Sequence, residues 1–217
     1  EMFGEGNIKK LNEKSIFHPR SPYAIAKVFG HHITINYREA YGIFACSGIL
    51  FNHESPLRGI EFVTRKITST LAEIHAGRKK VLELGNIYAK RDWGYAGDFV
   101  EGIWKMIQND KPKDYVLATG EEHSVKEFAT LAAKLTGFNL VWKGKKFNEY
   151  AIDKDTKKII IKKNIGYYRP SDVSLLKGDP RNAINNLNWK PKIKFKDLVK
   201  IMVESDKKKS LKGKILQ

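Results

Sequence analysis

The run of apolar residues from Ile43 to Phe51 limits the possible folds of this chain more than any other segment. Such a run without alternating polar positions indicates a strand buried on both faces, which is typical of a parallel sheet. Polar residues, Asn52 to Ser55, follow it directly. Because α/β folds build their sites beyond the carboxyl ends of such strands, we expect a functional site here.

Helical and strand patterns alternate through the first half of the chain and become shorter and mixed in the second. This order predicts an α/β fold with a smaller C-terminal lobe. A glycine-rich fingerprint of the form Gly-x-Gly-x-x-Gly follows none of the predicted strands. A dinucleotide-binding half, where one exists, is therefore expected before Glu1.

The helix that precedes the apolar run carries a tyrosine and a lysine at helical spacing. Ser21 is a suitable N-cap and Pro22 a suitable first residue, and Gly42 predicts the end of the helix near Tyr41. At positions i and i+4, Tyr23 and Lys27 lie on one face, where an ammonium favours the phenolate form of tyrosine. The pair suits hydride-transfer chemistry, although an exposed amphipathic helix also carries Tyr and Lys by chance.

Composition excludes some functional classes and leaves others open. The 217 residues include a single cysteine, Cys46, which we expect to fill core space, so the sequence predicts a reducing, cytoplasmic location. It shows no signal peptide and no apolar run of membrane-spanning length. The net charge of +16 suggests a polyanionic partner, but the lysines concentrate near the C-terminus and no nucleic-acid motif accompanies them.

Several motifs together carry a family resemblance: Glu-Met-Phe-Gly at residues 1–4, Ser-Pro-Tyr-Ala-Ile-Ala-Lys at 21–27, Asn-His-Glu-Ser-Pro at 52–56, Phe-Val-Thr-Arg-Lys-Ile at 62–67, Lys-Arg-Asp-Trp-Gly at 90–94 and Tyr-Tyr-Arg-Pro at 167–170. On these the chain closely resembles the GDP-mannose 4,6-dehydratases, which are extended short-chain dehydrogenases/reductases. The resemblance extends from Glu1 to about Asp206 and implies the C-terminal part of a Rossmann-type doubly wound parallel sheet plus a smaller mixed α/β lobe.

The implied domain division has three parts. Residues 1–60 would complete an NAD(P)-binding domain, residues 61–206 would form a sugar-nucleotide-binding lobe with segments that return to that domain, and residues 207–217 would be a basic tail.

The implied reaction is that of a lyase with an internal redox cycle on NADP. Tyr23 takes the proton of the carbon 4 hydroxyl while hydride leaves carbon 4, with Lys27 beside it. Glu1 removes the carbon 5 proton as water leaves from carbon 6, and hydride returns to carbon 6. The product is GDP-4-keto-6-deoxymannose. Because a dinucleotide-binding half would precede Glu1, the chain as given is expected to hold part of the catalytic set.

The resemblance also implies the binding residues. Lys27, His53 and Arg58 match positions that contact NADP, and Asn52, Lys66, Arg91, Arg169 and Asp172 match positions that contact GDP-mannose. Two residues depart from the family pattern: Leu57 replaces a second arginine before Arg58, and Asp172 replaces a longer glutamate.

Family members are dimers or tetramers, so the resemblance implies a homo-oligomer or a partner chain that carries the N-terminal half. The alternative interpretation is a non-catalytic sugar-nucleotide-binding or assembly subunit. No nucleic-acid or membrane partner is expected.

Overall fold

The computed structural model describes residues 1–4, 10–168 and 175–213. The helices of these residues are α1 (Pro22–Tyr41), α2 (Val63–His75), α3 (Ala96–Ile107), α4 (Val125–Thr136), α5 (Arg181–Leu187) and α6 (Phe195–Leu211). The strands are β1 (Gly48–Leu50), β2 (Asn52–Glu54), β3 (Leu82–Leu84), β4 (Lys90–Arg91), β5 (Trp93–Tyr95), β6 (Tyr115–Leu117), β7 (His123–Ser124), β8 (Leu140–Lys143), β9 (Tyr150–Asp153), β10 (Ile159–Lys163) and β11 (Leu175–Leu176). None of the described helices has the length and apolar character that a membrane crossing requires.

The chain forms two compact units, and each is assembled from three separate segments. The first unit contains Glu1–His53, Lys90–Glu122 and Val173–Lys194, and the second contains Glu54–Ala89, His123–Asp172 and Phe195–Gln217. The predicted division into a cofactor-binding part, a sugar-nucleotide-binding lobe and a basic tail, with boundaries at residues 60 and 206, stays a prediction.

The first unit is built around a parallel strand pair that is covered on both faces. β1 pairs with β6 in parallel register, Ile49 opposite Val116. Because side chains alternate along a strand, Val116 packs with Phe3 and Leu11 on one face. Tyr115 and Leu117 pack with residues of α3 and α5 on the other, and Cys46 lies partly buried against this second cluster, as expected.

The predicted buried strand is shorter than its apolar run. The parallel pairing confirms the predicted type of sheet, but β1 includes only Gly48–Leu50. Ile43 and Phe44 precede the segment that pairs with β6, and they are 48% and 45% exposed. Leu50, within β1, is 37% exposed. The expected burial of the whole run on both faces was therefore wrong for these three residues.

The second unit combines a mixed sheet with three packed helices. The strand order is β3-β10-β9-β8, where β10 runs parallel to β3 and the other neighbours are antiparallel. Strands β9 and β10 form an antiparallel hairpin that turns after Asp153. Helices α2, α4 and α6 pack against one another, and their contacts bury Ile67, Leu71, Phe128, Leu198 and Met202 completely.

The last helix is longer than the sequence predicted. The predicted basic tail begins at residue 207, but α6 continues to Leu211. Asp206 and Ser210 are buried, at 0% and 2% exposure. Asp206 forms an ion pair with Arg65, so a long-range contact holds the lysine-rich turns in the helix.

Candidate functional site

The start of α1 presents Tyr23 and Lys27 as the spacing predicts. Ser21 has an extended backbone, and its Oγ accepts a hydrogen bond from the Ala24 amide at 3.1 Å, which caps the helix. Tyr23 is 60% exposed. The Lys27 Nζ lies 5.4 Å from the centroid of the Tyr23 ring, within the range of a cation–π contact. The two side chains therefore share one accessible face.

Glu1 lies beside this helix terminus. One of its carboxylate oxygens accepts a hydrogen bond from the Ser21 hydroxyl at 3.3 Å. The Glu1 carbonyl accepts from the Gly4 amide at 3.0 Å, and the His18 amide donates to the carbonyl of Met2 at 3.1 Å. These bonds hold Glu1 beside Ser21, the N-cap residue of α1. The carboxylate of Glu1 therefore lies near the start of the helix that carries Tyr23.

His53 follows the buried strand in a fixed orientation. Its Nδ1 lies 2.9 Å from the carbonyl oxygen of Phe51. Because a carbonyl only accepts, Nδ1 carries the proton and Nε2 is left as the acceptor of the neutral ring. The ring packs on Phe99 with centroids 5.4 Å apart. Asn52 and His53 are both half-buried at the carboxyl side of β1, where the sequence predicted a site.

Arg91 and Asp92 are adjacent in the chain but differ in burial. Arg91 is half-buried, whereas Asp92 is fully buried. Its Oδ1 accepts from the amide and hydroxyl of Thr119 at 2.8 and 2.6 Å, and its Oδ2 accepts from the amides of Gly120 and Gly178 at 2.9 and 3.2 Å. Burial raises the pKa of Asp92, and these hydrogen bonds oppose the increase.

Asp92 therefore fastens together the loops that follow β4, β6 and β11. The sequence motifs do not predict this role. The local signal for it is an acidic residue between Arg91 and Trp93. Arg91 itself lies near the backbone of Glu1.

In the second unit, Arg58 is held by a ring and an acid. Its guanidinium carbon lies 3.6 Å from the centroid of the Phe62 ring. Its Nε is 3.4 Å from a carboxylate oxygen of Glu54, which also accepts a 2.6 Å hydrogen bond from the hydroxyl of Thr64. The adjacent Leu57 is 91% exposed. The contacts of Phe62, Glu54 and Thr64 were not predicted from the sequence.

Lys66 lies against an aromatic face in the same unit. Its Nζ is 3.5 Å from the centroid of the Tyr167 ring. Burial lowers the pKa of Lys66; the charge of Glu83 opposes this decrease, and that of Lys79 adds to it. Tyr167 was not among the predicted site residues, although it stands in the Tyr-Tyr-Arg-Pro motif.

The predicted site residues belong to both units. The first unit contains Glu1, Tyr23, Lys27, Asn52, His53 and Arg91, and the second contains Arg58 and Lys66. Arg169 and Asp172 lie outside the described residues. In the first unit, the structure brings Glu1 to the start of the helix that carries Tyr23 and Lys27.

Solved structures of other proteins show the class to which this fold belongs. RMD from Pseudomonas aeruginosa, complexed with NADPH, superposes with a TM-score of 0.79 over 96% of this chain and 64% of that one, at 19% sequence identity. The dTDP-glucose 4,6-dehydratase of Bacillus anthracis, in complex with NAD, gives a TM-score of 0.77 over 95% of this chain and 59% of that one, at 18% identity. The chain thus has the Rossmann-type α/β fold of these two structures, as predicted.

Sequence comparison then identifies the family. The profile of GDP-mannose 4,6 dehydratase matches residues 1–202, and the chain belongs to this family. It is 49% identical to GDP-mannose 4,6 dehydratase of Drosophila melanogaster over 95% of this chain and 52% of that protein. It is 50% identical to GDP-mannose 4,6 dehydratase 1 of Arabidopsis thaliana over 100% of this chain and 55% of that protein. The chain spans about half the length of these relatives.

Proposed function

We propose that this chain is the sugar-nucleotide-binding part of a GDP-mannose 4,6-dehydratase and contributes the Tyr23–Lys27 pair to its reaction. One observation carries the proposal: 48 to 50% identity to proteins of that name over 95% or more of the chain. The arrangement at the start of α1 supports it, because a phenol and an ammonium share an exposed face there.

In this proposal, Tyr23 accepts the proton of the carbon 4 hydroxyl of GDP-mannose. Lys27 lies beside the phenol, with its Nζ 5.4 Å from the centroid of the Tyr23 ring, and is proposed to assist this proton transfer. Glu1 removes the carbon 5 proton, which the carbon 4 ketone has made acidic, and this proton leaves with the carbon 6 hydroxyl as water. When bound, NADP would accept hydride from carbon 4 and return it to carbon 6, and the proton held by Tyr23 would go to carbon 5.

The cofactor is proposed to be NADP, held by Lys27, His53 and Arg58. The donor set suits it: the planar Arg58 guanidinium, stacked on Phe62, is a good partner for a phosphate. The nicotinamide dinucleotides in the titles of the two solved structures, NADPH and NAD, support a cofactor of this class.

GDP-mannose is proposed to bind through Asn52, Lys66, Arg91, Arg169 and Asp172. The cationic side chains among them suit a diphosphate. Lys66 is the best supported of these by its surroundings. Its ammonium is half-buried against Tyr167, where the reduced contact with water strengthens attraction to an anion. A homo-oligomer, or a partner chain with the N-terminal half, completes the proposal. The cytoplasmic location stays a prediction.

The decisive experiment incubates the chain with NADP and GDP-mannose, alone and with the separately produced N-terminal half of a relative, and detects the 4-keto product by mass spectrometry. The Tyr23→Phe variant removes only the phenolic oxygen. We expect it to abolish product formation without weakening GDP-mannose binding.

The matched control is Tyr37→Phe, on the same helix and 49% exposed. We expect it to leave product formation unchanged. Turnover by Tyr23→Phe at the level of the unaltered chain would refute the assigned role of the phenol. Binding of GDP-mannose without turnover under all conditions would favour the non-catalytic interpretation.

A further inference from the structure

The loop that carries Arg58 is half-buried apart from the exposed Leu57. We call residues 55–59 the Arg58 loop. Within it, the Arg58 amide donates to the Ser55 carbonyl at 3.0 Å and the Leu57 amide donates to the Ser55 hydroxyl at 3.1 Å. Leu57 is 91% exposed, so it gives the loop no hydrophobic anchor. These short-range bonds form a turn but do not attach it to the rest of the unit.

The attachment comes from Arg65, which is only 5% exposed on α2. Its Nη1 donates to two carbonyls of the Arg58 loop, those of Pro56 and of Arg58 itself, at 2.8 Å each. Lys209 adds a bond to the Pro56 carbonyl at 3.1 Å. The guanidinium of Arg65 therefore binds the backbone of the residue whose side chain is predicted to contact phosphate.

The opposite edge of the same guanidinium is bound by Asp206 of α6. The Arg65 Nε and Nη2 lie 3.1 and 2.9 Å from the two carboxylate oxygens of Asp206, which is completely buried. The Thr68 hydroxyl donates to one of those oxygens at 2.6 Å. Only a planar group with several donors in a fixed fork is able to bind a carboxylate and two carbonyls at once.

We propose that Arg65, anchored by Asp206, is the positioning residue that sets the Arg58 guanidinium for a phosphate-bearing ligand. The proposal rests on the function proposed above, in which Arg58 contacts the cofactor phosphate. Fixing the backbone at Arg58 fixes the origin of its side chain. From that position the Arg58 side chain lies on the Phe62 ring and beside Glu54. Asp206 of α6 holds Arg65, and Arg65 in turn holds the backbone from which the Arg58 side chain extends.

The test compares Arg65→Lys with a matched control, Arg78→Lys, in the 217-residue chain. Arg78 also joins α2 and α6: it donates to both carboxylate oxygens of Glu73 at 2.7 and 2.8 Å and to the Ser210 carbonyl at 2.8 Å. The described contacts of Arg78 do not include the Arg58 loop. Each substitution keeps the charge and removes the fork.

Three measurements follow from the geometry. Amide hydrogen exchange reports the Arg58 amide, the Arg58 Nε resonance reports the ring current of Phe62, and titration with inorganic pyrophosphate reports phosphate binding. For Arg65→Lys we expect at least about tenfold faster exchange at Arg58, because a charge-assisted bond to the loop is lost. We also expect loss of the ring-current shift and about tenfold weaker pyrophosphate binding.

Arg78→Lys is expected to leave all three readouts within about twofold of the unaltered chain, since distant sites act independently. Equal effects of the two substitutions would overturn the proposal, because the change would then be a general loss of stability. Pyrophosphate binding that is unchanged by Arg65→Lys, or absent from the unaltered chain, would overturn it too. These readouts do not depend on turnover, so failure of the proposed reaction is recognised separately by the absence of the 4-keto product.

Discussion

An ion pair between Arg38 and Asp114 joins α1 to its unit, and its removal gives the sharpest prediction. Of the residues in α1, only Ala24 is buried. Near the C-terminal end of α1, Arg38 donates to both carboxylate oxygens of Asp114 at 2.9 and 3.0 Å and to the Ala45 carbonyl at 2.9 Å. Asp114 also accepts from the Ser47 amide at 2.7 Å.

Asp114→Asn keeps the shape of the side chain but removes its charge and turns an NH₂ group toward Arg38 or Ser47. The two side chains of the pair are only 18% and 14% exposed, so little solvent screens them. A bond to a charged group contributes about 1.5 to 3 kcal/mol, and breaking a fully buried pair costs about 3 to 5 kcal/mol. For this partly buried pair we expect the opening free energy of α1 to fall by about 2 to 3 kcal/mol.

Native-state hydrogen exchange along α1 measures this quantity directly, because it reports local opening. The control is Glu122→Gln, which breaks the more exposed pair with Lys90 and is expected to cost about 0 to 1 kcal/mol. A decrease below about 0.5 kcal/mol for Asp114→Asn would refute the argument that this pair holds the helix.

The same pair predicts a pH dependence of known sign. Burial raises the pKa of Asp114, but the hydrogen bonds from Arg38 and Ser47 outweigh it, and the pKa lies below its ordinary value. The contribution of Asp114 is therefore complete above the unfolded-state pKa of about 3.9 and is lost as the pH falls through the lower folded-state pKa. The difference between the unaltered chain and Asp114→Asn should shrink over that acidic range.

Two further substitutions test the second unit. Ser124→Ala removes the reciprocal capping bonds with Glu127 at the start of α4 and should cost about 1 kcal/mol of helix stability, measured by amide exchange in α4; unchanged exchange would contradict the role of the cap. Phe128→Ala, at a fully buried position, should lower the free energy of unfolding by about 3 to 5 kcal/mol in urea. Phe147→Ala, at a position 56% exposed, should cost much less, and equal costs for the two would contradict the assigned core.

Where a signal lies within a few residues, the sequence was sufficient. Ser21 and Gly42 bound α1 as predicted, since a cap depends on the residue itself and on the backbone of the next turn. The capping box of Ser124 and Glu127 depends on local residues in the same way. The fold class was also predictable, because strand and helix patterns alternate and the family motifs are specific.

Predictions failed where distant segments decide the outcome. The end of α6 depends on Asp206, whose partner Arg65 stands 141 positions earlier, so a lysine-rich sequence that resembles a tail continues as helix. The burial of Asp92 likewise depends on the loops at Thr119 and Gly178. No periodicity or short motif encodes such pairs.

The sequence by itself determined the family, the class of fold and the face of α1 that carries Tyr23 and Lys27. Helical spacing alone places two residues four positions apart on one side. Only the tertiary structure decided what holds the remaining site residues: Phe62 and Glu54 around Arg58, Tyr167 against Lys66, and Arg65 beneath the Arg58 loop. The physical reason is that hydrogen bonds and ring contacts act over a few ångströms, and folding alone determines which distant residues come within that range.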